Sequence, residues 1–165
     1  MNAIFQRISV RKYQTRPVEP EKIEKILRAA MAAPSAGNQQ PWEFYVVRNP
    51  AVIQELAECS PYAGCAASAP VVIVPCLKMD GLRFPELGEI DLAIAAENIL
   101  LEITELGLGG VWLAVAPIQD RMEKANAALG IGDRLSAFAL IPVGYPAEER
   151  PQQNRFDANR IHFVD

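Results

Sequence analysis

A loop of ten residues, 33–42, carries side chains of the types that recognise a flat, uncharged ligand. Ser35, Asn38 and Gln40 supply hydrogen-bond donors and acceptors at close spacing, and Gly37 permits a sharp backbone turn. The loop holds no charge and ends at a tryptophan. It predicts a site for the edge of a neutral heteroaromatic ligand. The alternative is that its polar groups cap the preceding helix and its tryptophan packs in the core.

A second group of polar side chains lies near the start of the chain. In an extended segment Arg7, Ser9 and Arg11 point to the same face, because side chains alternate along a strand. Two guanidinium groups and a hydroxyl on one face form a phosphate site, since arginine donates paired hydrogen bonds to phosphate oxygens. The alternative is a solvated edge strand with ordinary surface arginines.

The tail from Gly144 is rich in proline, glutamine and arginine and is predicted to form an extended arm. Arg150, Arg155 and Arg160 on this arm are candidates to close over a phosphate from its far side. A solvated tail is the alternative interpretation.

A glycine-rich run at 107–110 precedes a predicted strand. Its spacing does not match the G-x-G-x-x-G dinucleotide fingerprint, which also requires a helix directly afterwards. Gly109 and Gly110 can instead allow backbone N–H groups to approach a ligand plane closely. The alternative is a helix cap followed by a tight turn, and we expect Gly107 to be only such a cap.

Other catalytic machineries find little support in the sequence. His162 is the only histidine, and it lies near the C-terminus without a neighbouring serine or cysteine motif. The sequence has neither the cysteine and histidine spacing of a metal site nor a Walker motif. An enzyme without such groups can still act if a cofactor carries the reaction.

Composition narrows the class of protein. The net charge of −4 argues against a nucleic-acid groove or a polybasic membrane surface. The three cysteines fit no disulfide or metal pattern, which favours a reducing, cytoplasmic compartment. The N-terminus lacks the features of a signal peptide, and no apolar run reaches the ~18 residues needed to span a membrane.

The length of 165 residues predicts one domain over residues 1–165. The hydrophobic pattern predicts helices and strands in alternation, as in α/β or α+β proteins. Helices are predicted at 20–33, from Asn49-Pro50 onward, at 89–106 and at 120–129, and strands at 43–48, 70–76, 111–116 and 135–143. Pro20 suits the first turn of the first helix, and Gly130 is expected to end the last.

The helix predicted at 89–106 is apolar around nearly its whole circumference. A surface helix of a small monomer has a single apolar stripe, so this pattern favours a subunit interface over the centre of a large core. Asp91, Glu97 and Asn98 are the polar exceptions, and we expect them to form specific hydrogen bonds there.

Four segments resemble the FMN-dependent nitroreductase family, and together they extend over almost the whole chain. They are RISVRKY at 7–13, APSAGNQQPWEF at 33–44, LGLGGVW at 106–112 and IPVGYP at 141–146. The resemblance implies an α+β, three-layer fold with a mainly antiparallel central sheet flanked by helices. It also implies an intertwined homodimer with two FMN sites at the interface.

The resemblance also implies a role for each group of site residues. The arginines and Ser9 would hold the phosphate and ribityl chain, loop residues of the other subunit would line the flavin, and the glycine pair would place backbone near its N5 edge. The residues implicated in cofactor binding are Arg7, Ile8, Ser9, Arg11, Pro34, Ser35, Asn38, Gln40, Gly109, Gly110 and Arg155. The spacing in the tail favours Arg155 over Arg150. No side chain is implied as catalytic, because flavin N5 carries the chemistry.

The family's activity is a ping-pong reaction in which NADH or NADPH reduces the flavin, which then reduces a nitroaromatic, quinone or similar acceptor. Two alternatives stay open. One is an FMN-binding electron-transfer or flavin-storage protein that does not use nicotinamide. The other is a specialised relative, such as a reductive dehalogenase or a flavin-fragmenting enzyme.

The sequence departs from the family pattern at two places. Ile8 stands where a second basic residue is frequent, so we expect a weaker or more backbone-based grip on the phosphate. The segment 77–88 is short where many relatives carry a longer helical excursion that roofs the active site, so we expect a more open pocket. What remains of the lid would be formed by Met79, Leu82, Arg83 and Phe84.

Overall fold

The computed structural model describes residues 2–148 and 151–164. The helices in these ranges are α1 Ala3–Gln6, α2 Pro20–Met31, α3 Pro50–Glu58, α4 Gly88–Glu105 and α5 Gln119–Leu129. The strands are β1 Trp42–Val47, β2 Val71–Lys78, β3 Gly109–Gly110, β4 Leu113–Ala114, β5 Leu135–Ala137 and β6 Ala139–Gly144. Short 3₁₀ turns lie at Ala36–Asn38, Gly64–Ser68, Pro85–Leu87 and Ala158–Arg160. None of the helices in these ranges is long and apolar enough to cross a membrane.

The strands form one mainly antiparallel sheet. Its order is β1-β2-β6-β3, with β5 paired to β2 and β4 paired to β6, and each of these pairings is antiparallel. The N-terminal segment adds a parallel bridge between Ser9 and Gly110 and an antiparallel bridge between Tyr13 and Pro146. The start of the chain therefore lies along the edge of the sheet beside β3.

Helices cover both faces of this sheet. Because side chains alternate along β2, Val71 and Ile73 pack in the core formed with α2 and α4, whereas Val72 and Val74 pack in the core formed with α3 and α5. The resulting three layers are helices, sheet and helices. The predicted α+β fold with a mainly antiparallel central sheet is confirmed.

Local signals explain where the helices begin and end. Pro20 and Pro50 occupy first helical positions, where a missing N–H loses no helix hydrogen bond. The side chain of Asn49 accepts a hydrogen bond from the backbone N–H of Ala51, at 2.9 Å, and caps α3. Gly130 ends α5 with a left-handed φ of 63°, as predicted. The short helix α1 had no sequence signal that predicted it.

The strand predicted at 111–116 is wrong in extent. The chain forms β3 and β4 instead, and both pair with β6 in one register, which places Pro142 opposite Val111. Proline has no N–H to donate to the ladder, so the pairing is interrupted there. Beside the break, the ring of Trp112 packs edge-on against Phe138, with centroids 5.2 Å apart.

The strand predicted at 135–143 is divided into β5 and β6. Both segments pair with β2, but residues 138–140 face only Val74 and Pro75, so one extra residue makes a β-bulge. Phe138 lies at this bulge: its N–H donates to the Pro75 carbonyl and its carbonyl accepts from the Ala116 N–H, both at 2.9 Å. The bulge thus turns the chain toward the segment that follows β4.

Helix α4 is both core and surface. Ala96 and Ile99 are fully buried between the sheet and α2, whereas Ile90 and Ile94 are 56% and 37% exposed. The all-round apolar pattern therefore has two causes in the single chain. One side completes the core, and the other leaves isoleucines without cover.

Candidate functional site

The structure brings the predicted phosphate-binding side chains together. Arg7, Ser9 and Arg11 line a cavity of about 230 Å³, and Arg155 of the tail lines the same cavity from the other side. Ile8 also contributes to its wall. Sequence reasoning missed the tail residues that complete the lining, Pro151, Gln152 and Gln153.

Backbone hydrogen bonds to the sheet hold the N-terminal half of this cavity. The N–H of Val10 donates to the carbonyl of Gly110 at 3.0 Å, and the N–H of Gln14 donates to that of Tyr145 at 2.9 Å. The buried Tyr13 hydroxyl donates to the Val10 carbonyl at 2.6 Å. Burial raises the pKa of Tyr13, so this hydroxyl keeps its proton and remains a donor.

The glycine pair is explained first by packing. A Cβ on Gly109 would lie 2.6 Å from Cγ2 of Val10, so only glycine lets the N-terminal segment approach β3 this closely. A Cβ on Gly110 would lie 3.1 Å from both Ile103 Cδ1 and the Pro142 carbonyl oxygen. Both glycines are buried, and neither lines the arginine cavity. Their approach to a flavin stays a prediction.

The cavity carries positive charge that the chain compensates only in part. Arg7 Nε lies 3.7 Å from Glu97 Oε1, an ion pair that orients its guanidinium. Within the described ranges, no carboxylate lies within 4.0 Å of a side-chain nitrogen of Arg11 or Arg155. Uncompensated guanidinium groups around one cavity favour a small anion such as a phosphate.

The other two tail arginines differ from Arg155. Arg160 pairs with Asp157 at 3.3 Å and does not line the cavity. Arg150 lies outside the described residues. The choice of Arg155 over Arg150 therefore stays a prediction.

The loop 33–42 lies elsewhere on the chain, and none of its residues lines the arginine cavity. Its backbone is constrained, because Gly37, Asn38 and Gln40 have left-handed φ values of 53°, 56° and 47°. Two of these residues are not glycine, and such strain persists only where surrounding contacts enforce it.

Side-chain hydrogen bonds enforce this conformation. Ser35 Oγ accepts from the Gln40 N–H, and Asn38 Oδ1 accepts from Gln40 Nε2, both at 3.0 Å. These contacts leave the Ser35 hydroxyl proton and the Asn38 amide hydrogens available to a ligand. Pro34 is exposed at the start of the same turn. Trp42 is 7% exposed and packs in the core, as the alternative interpretation of this residue proposed.

Sequence reasoning also missed Gln39. Its Nε2 donates to the Phe84 carbonyl at 3.0 Å and to Asp91 Oδ2 at 2.7 Å, and its Oε1 accepts from the Phe84 N–H at 2.9 Å. Asp91, 3% exposed, also accepts from the Ala36 N–H at 2.9 Å. The one signal in the sequence was an acidic residue within the apolar helix α4. Its expected hydrogen bonds form within the chain.

Comparisons with known proteins agree on one family. The sequence model described as Nitroreductase family matches residues 4–64 and 59–145. A protein of Methanothermobacter thermautotrophicus, which carries the provisional name NADH dehydrogenase/NAD(P)H nitroreductase, is 43% identical over 163 residues. That alignment spans 99% of this chain and 85% of the relative. The chain belongs to the nitroreductase family.

Two solved structures each match 99% of this nitroreductase-family chain. A Clostridium acetobutylicum protein, provisionally named an NADH oxidase, is 45% identical, with a TM-score of 0.95 and 99% of both chains covered. An FMN-dependent nitroreductase of Clostridium difficile is 30% identical, with a TM-score of 0.92, covering 99% of this chain and 98% of its own. The chain is therefore an oxidoreductase of the nitroreductase family, and the family predicted from its motifs is confirmed.

The segment between β2 and α4, predicted to form what remains of a lid, lies beside the loop 33–42. Between β2 and α4 the chain forms only the 3₁₀ turn Pro85–Leu87. The ring of Phe84 lies against Gly37, since a Cβ there would be 2.8 Å from Phe84 Cε2. The guanidinium of Arg83 lies 5.2 Å from the centre of the same ring. These two side chains therefore border the loop 33–42.

Proposed function

We propose that this chain binds FMN and transfers reducing equivalents from NADH or NADPH to nitroaromatic, quinone or similar acceptors in a ping-pong reaction. The observation that carries the proposal is the convergence of three arginines and Ser9 on one cavity. Two of these arginines, Arg7 and Arg11, are more than 140 positions before the third, Arg155, in the sequence. If the tail were only a solvated arm, Arg155 would have no reason to line the same cavity as Arg7 and Arg11.

The residues present fit the phosphate end of FMN. A cavity of about 230 Å³ accommodates a phosphate and part of a ribityl chain, and Arg7, Arg11 and Arg155 oppose the charge of a dianion. Each charged hydrogen bond contributes roughly 1.5–3 kcal/mol net. Ser9 adds a hydroxyl donor, while Ile8 offers only its backbone and an apolar wall.

The loop residues fit the ring. Ser35 and Asn38 retain donors for ring oxygens and nitrogens, and Pro34 supplies an apolar surface. Gln40 holds both polar side chains in place. When bound, FMN supplies the ring that takes up reducing equivalents from nicotinamide and passes them to the acceptor. The protein's own contribution is orientation, hydrogen bonding and exclusion of water.

We propose that the complete site needs a homodimer. None of the residues of the loop 33–42 lines the arginine cavity. The two parts of the predicted FMN site are therefore separate within one chain. In the proposed dimer, Ser35 and Asn38 of one chain serve the FMN held by Arg7 and Arg11 of the other. The three cysteines are free thiols, which suits the cytoplasm, the location we propose.

Spectroscopy of the purified protein tests the function directly. We expect flavin absorbance, or uptake on titration with FMN, followed by anaerobic bleaching with NADH or NADPH and parallel-line kinetics with a quinone. A colourless protein that takes up no FMN would contradict the proposal. Flavin binding without bleaching would favour the electron-transfer or storage alternative, and product analysis with oxygen and reduced FMN would detect a flavin-fragmenting enzyme.

A further inference from the structure

We propose that Gln39, oriented by the buried carboxylate of Asp91, is a positioning residue that clamps the Arg83–Phe84 turn onto the loop 33–42. The clamp fixes the side chains of Arg83 and Phe84, which we call the rim, beside the acceptor. The identity of the rim as acceptor-facing rests on the proposed function, whereas the clamp itself rests on contacts within the chain.

The Gln39 amide uses both of its donor hydrogens and its carbonyl oxygen in hydrogen bonds within the chain. It pairs with both backbone groups of Phe84, accepting from its N–H at 2.9 Å and donating to its carbonyl at 3.0 Å. Its second amide hydrogen donates to Asp91 Oδ2 at 2.7 Å. One side chain thus replaces the partner strand that the backbone of Phe84 lacks.

Asp91 determines which way this amide faces. An ionised carboxylate only accepts hydrogen bonds, so it requires the nitrogen of Gln39 and leaves the oxygen for the Phe84 N–H. Its other oxygen accepts from the Ala36 N–H at 2.9 Å, which ties the loop to the first turn of α4. A single buried carboxylate therefore holds the loop and the turn in one arrangement.

The clamp places two side chains at the border of the loop. The Phe84 ring covers Gly37, and the Arg83 guanidinium lies 5.2 Å from the ring centre. A flat ring and a cation, both held on a short turn, make a fixed rim suited to planar acceptors. Without the hydrogen bonds from Gln39, the regular structure left between β2 and α4 would be the 3₁₀ turn Pro85–Leu87.

Limited trypsin digestion tests the clamp, because the Arg83–Phe84 bond contains the N–H that Gln39 holds. We expect Gln39→Ala to raise cleavage at this bond about tenfold, giving fragments 1–83 and 84–165 by mass spectrometry. Gln54→Ala is the matched control, since this glutamine bonds the exposed Glu58 on α3. Unchanged cleavage at Arg83, or an equal increase at all basic residues, would overturn the clamp.

Exchange of the two polar partners tests the orientation. Gln39→Glu places two carboxylates together and should also accelerate the cut at Arg83. Adding Asp91→Asn restores a donor toward the new carboxylate at position 39 and keeps an acceptor for the Ala36 N–H, so the double variant should return toward the wild-type rate. A double variant that is cleaved as fast as Gln39→Glu would overturn the role of Asp91.

Kinetics of the FMN-loaded protein test the rim. We expect Gln39→Ala to raise the KM for a quinone about fivefold, with kcat and the Kd for FMN changed less than about twofold. An unchanged KM in a variant that trypsin cuts faster would overturn the acceptor-side assignment. If the wild-type protein takes up no FMN, the proposed function fails, while the digestion still decides the clamp.

Discussion

Arg155 and Arg160 lie close together in the tail yet have different surroundings. Arg155 lines the cavity of Arg7 and Arg11 without a carboxylate partner in the described ranges, whereas Arg160 pairs with Asp157. Charge alone therefore does not define the predicted phosphate site. The cavity and the missing counter-charge distinguish one arginine from the other.

Arg155→Ala should weaken FMN binding by about 10- to 100-fold, on the order of 1–3 kcal/mol, because one charged hydrogen bond to the phosphate is lost. Arg7→Ala should weaken it by a similar factor. Flavin fluorescence titration measures both. Arg160→Ala, which removes the same charge from the same tail, should stay within about twofold, and an equal loss there would contradict the assignment.

Gly109→Ala should destabilise the fold by roughly 1–3 kcal/mol, because the new Cβ would overlap the side chain of Val10. Urea unfolding measures the loss. Gly64→Ala is the matched control, since a Cβ there meets nothing within 4 Å. Val10→Ala combined with Gly109→Ala should recover part of the loss, and a double variant no more stable than Gly109→Ala would argue against this contact as the cause.

The start of α2 and the end of β6 are joined by a polar cluster that positions the arginine segment. The Tyr145 hydroxyl donates to Glu19 Oε2 at 2.8 Å, and Arg16 Nη2 donates to Glu19 Oε1 at 2.7 Å. The Arg16 guanidinium also lies 3.9 Å from the centre of the Tyr145 ring. Because the Tyr145 carbonyl accepts from the Gln14 N–H, this cluster fixes the segment that carries Arg11.

Glu19→Gln should reduce stability near neutral pH and have little effect near pH 2. A hydrogen bond from its own backbone N–H, then those from Tyr145 and Arg16, lower the pKa of Glu19 from 4.5 to about 2. The folded state thus favours the ionised carboxylate, so its stabilisation is present above pH 4.5 and is lost as the pH falls toward 2. Urea unfolding at several pH values measures the difference, and a pH-independent difference would contradict this prediction.

The proposed dimer has a candidate surface on three helices, α4 and the two helices that pack against it, α1 and α2. Their large exposed apolar residues are Ile4, Phe5, Met31, Ile90 and Ile94. Large apolar side chains exposed on neighbouring helices are typical of subunit interfaces. We propose that each chain is a single domain and that a second copy of it covers this surface.

Ile94→Glu should convert the dimer to a monomer at micromolar concentration and reduce FMN uptake, because a charge would be buried at the interface. Light scattering coupled to size-exclusion chromatography measures both states. Ile118→Glu is the control, since this residue is similarly exposed, at 42% against 37%, but precedes α5 on the opposite face of the sheet. A wild-type monomer, or an unaffected Ile94→Glu dimer, would contradict the proposal.

Local chemistry made much of this protein readable from its sequence. Pro20 and Gly130 mark helix ends because their backbone preferences act within a single turn, and the alternation of Arg7, Ser9 and Arg11 follows from extended geometry. The four motifs were enough to predict the family, and the family resemblance was enough to predict the fold.

Contacts between distant residues were not readable in this way. The break opposite Pro142, the bulge at Phe138 and the amide clamp of Gln39 depend on partners that local patterns do not specify. The meeting of Arg155 with Arg7 at one cavity was expected mainly through the family resemblance, because periodicity and propensity act over only a few residues. Contacts of this kind depend on the tertiary fold, because helices packed on both faces of the sheet determine where distant segments lie.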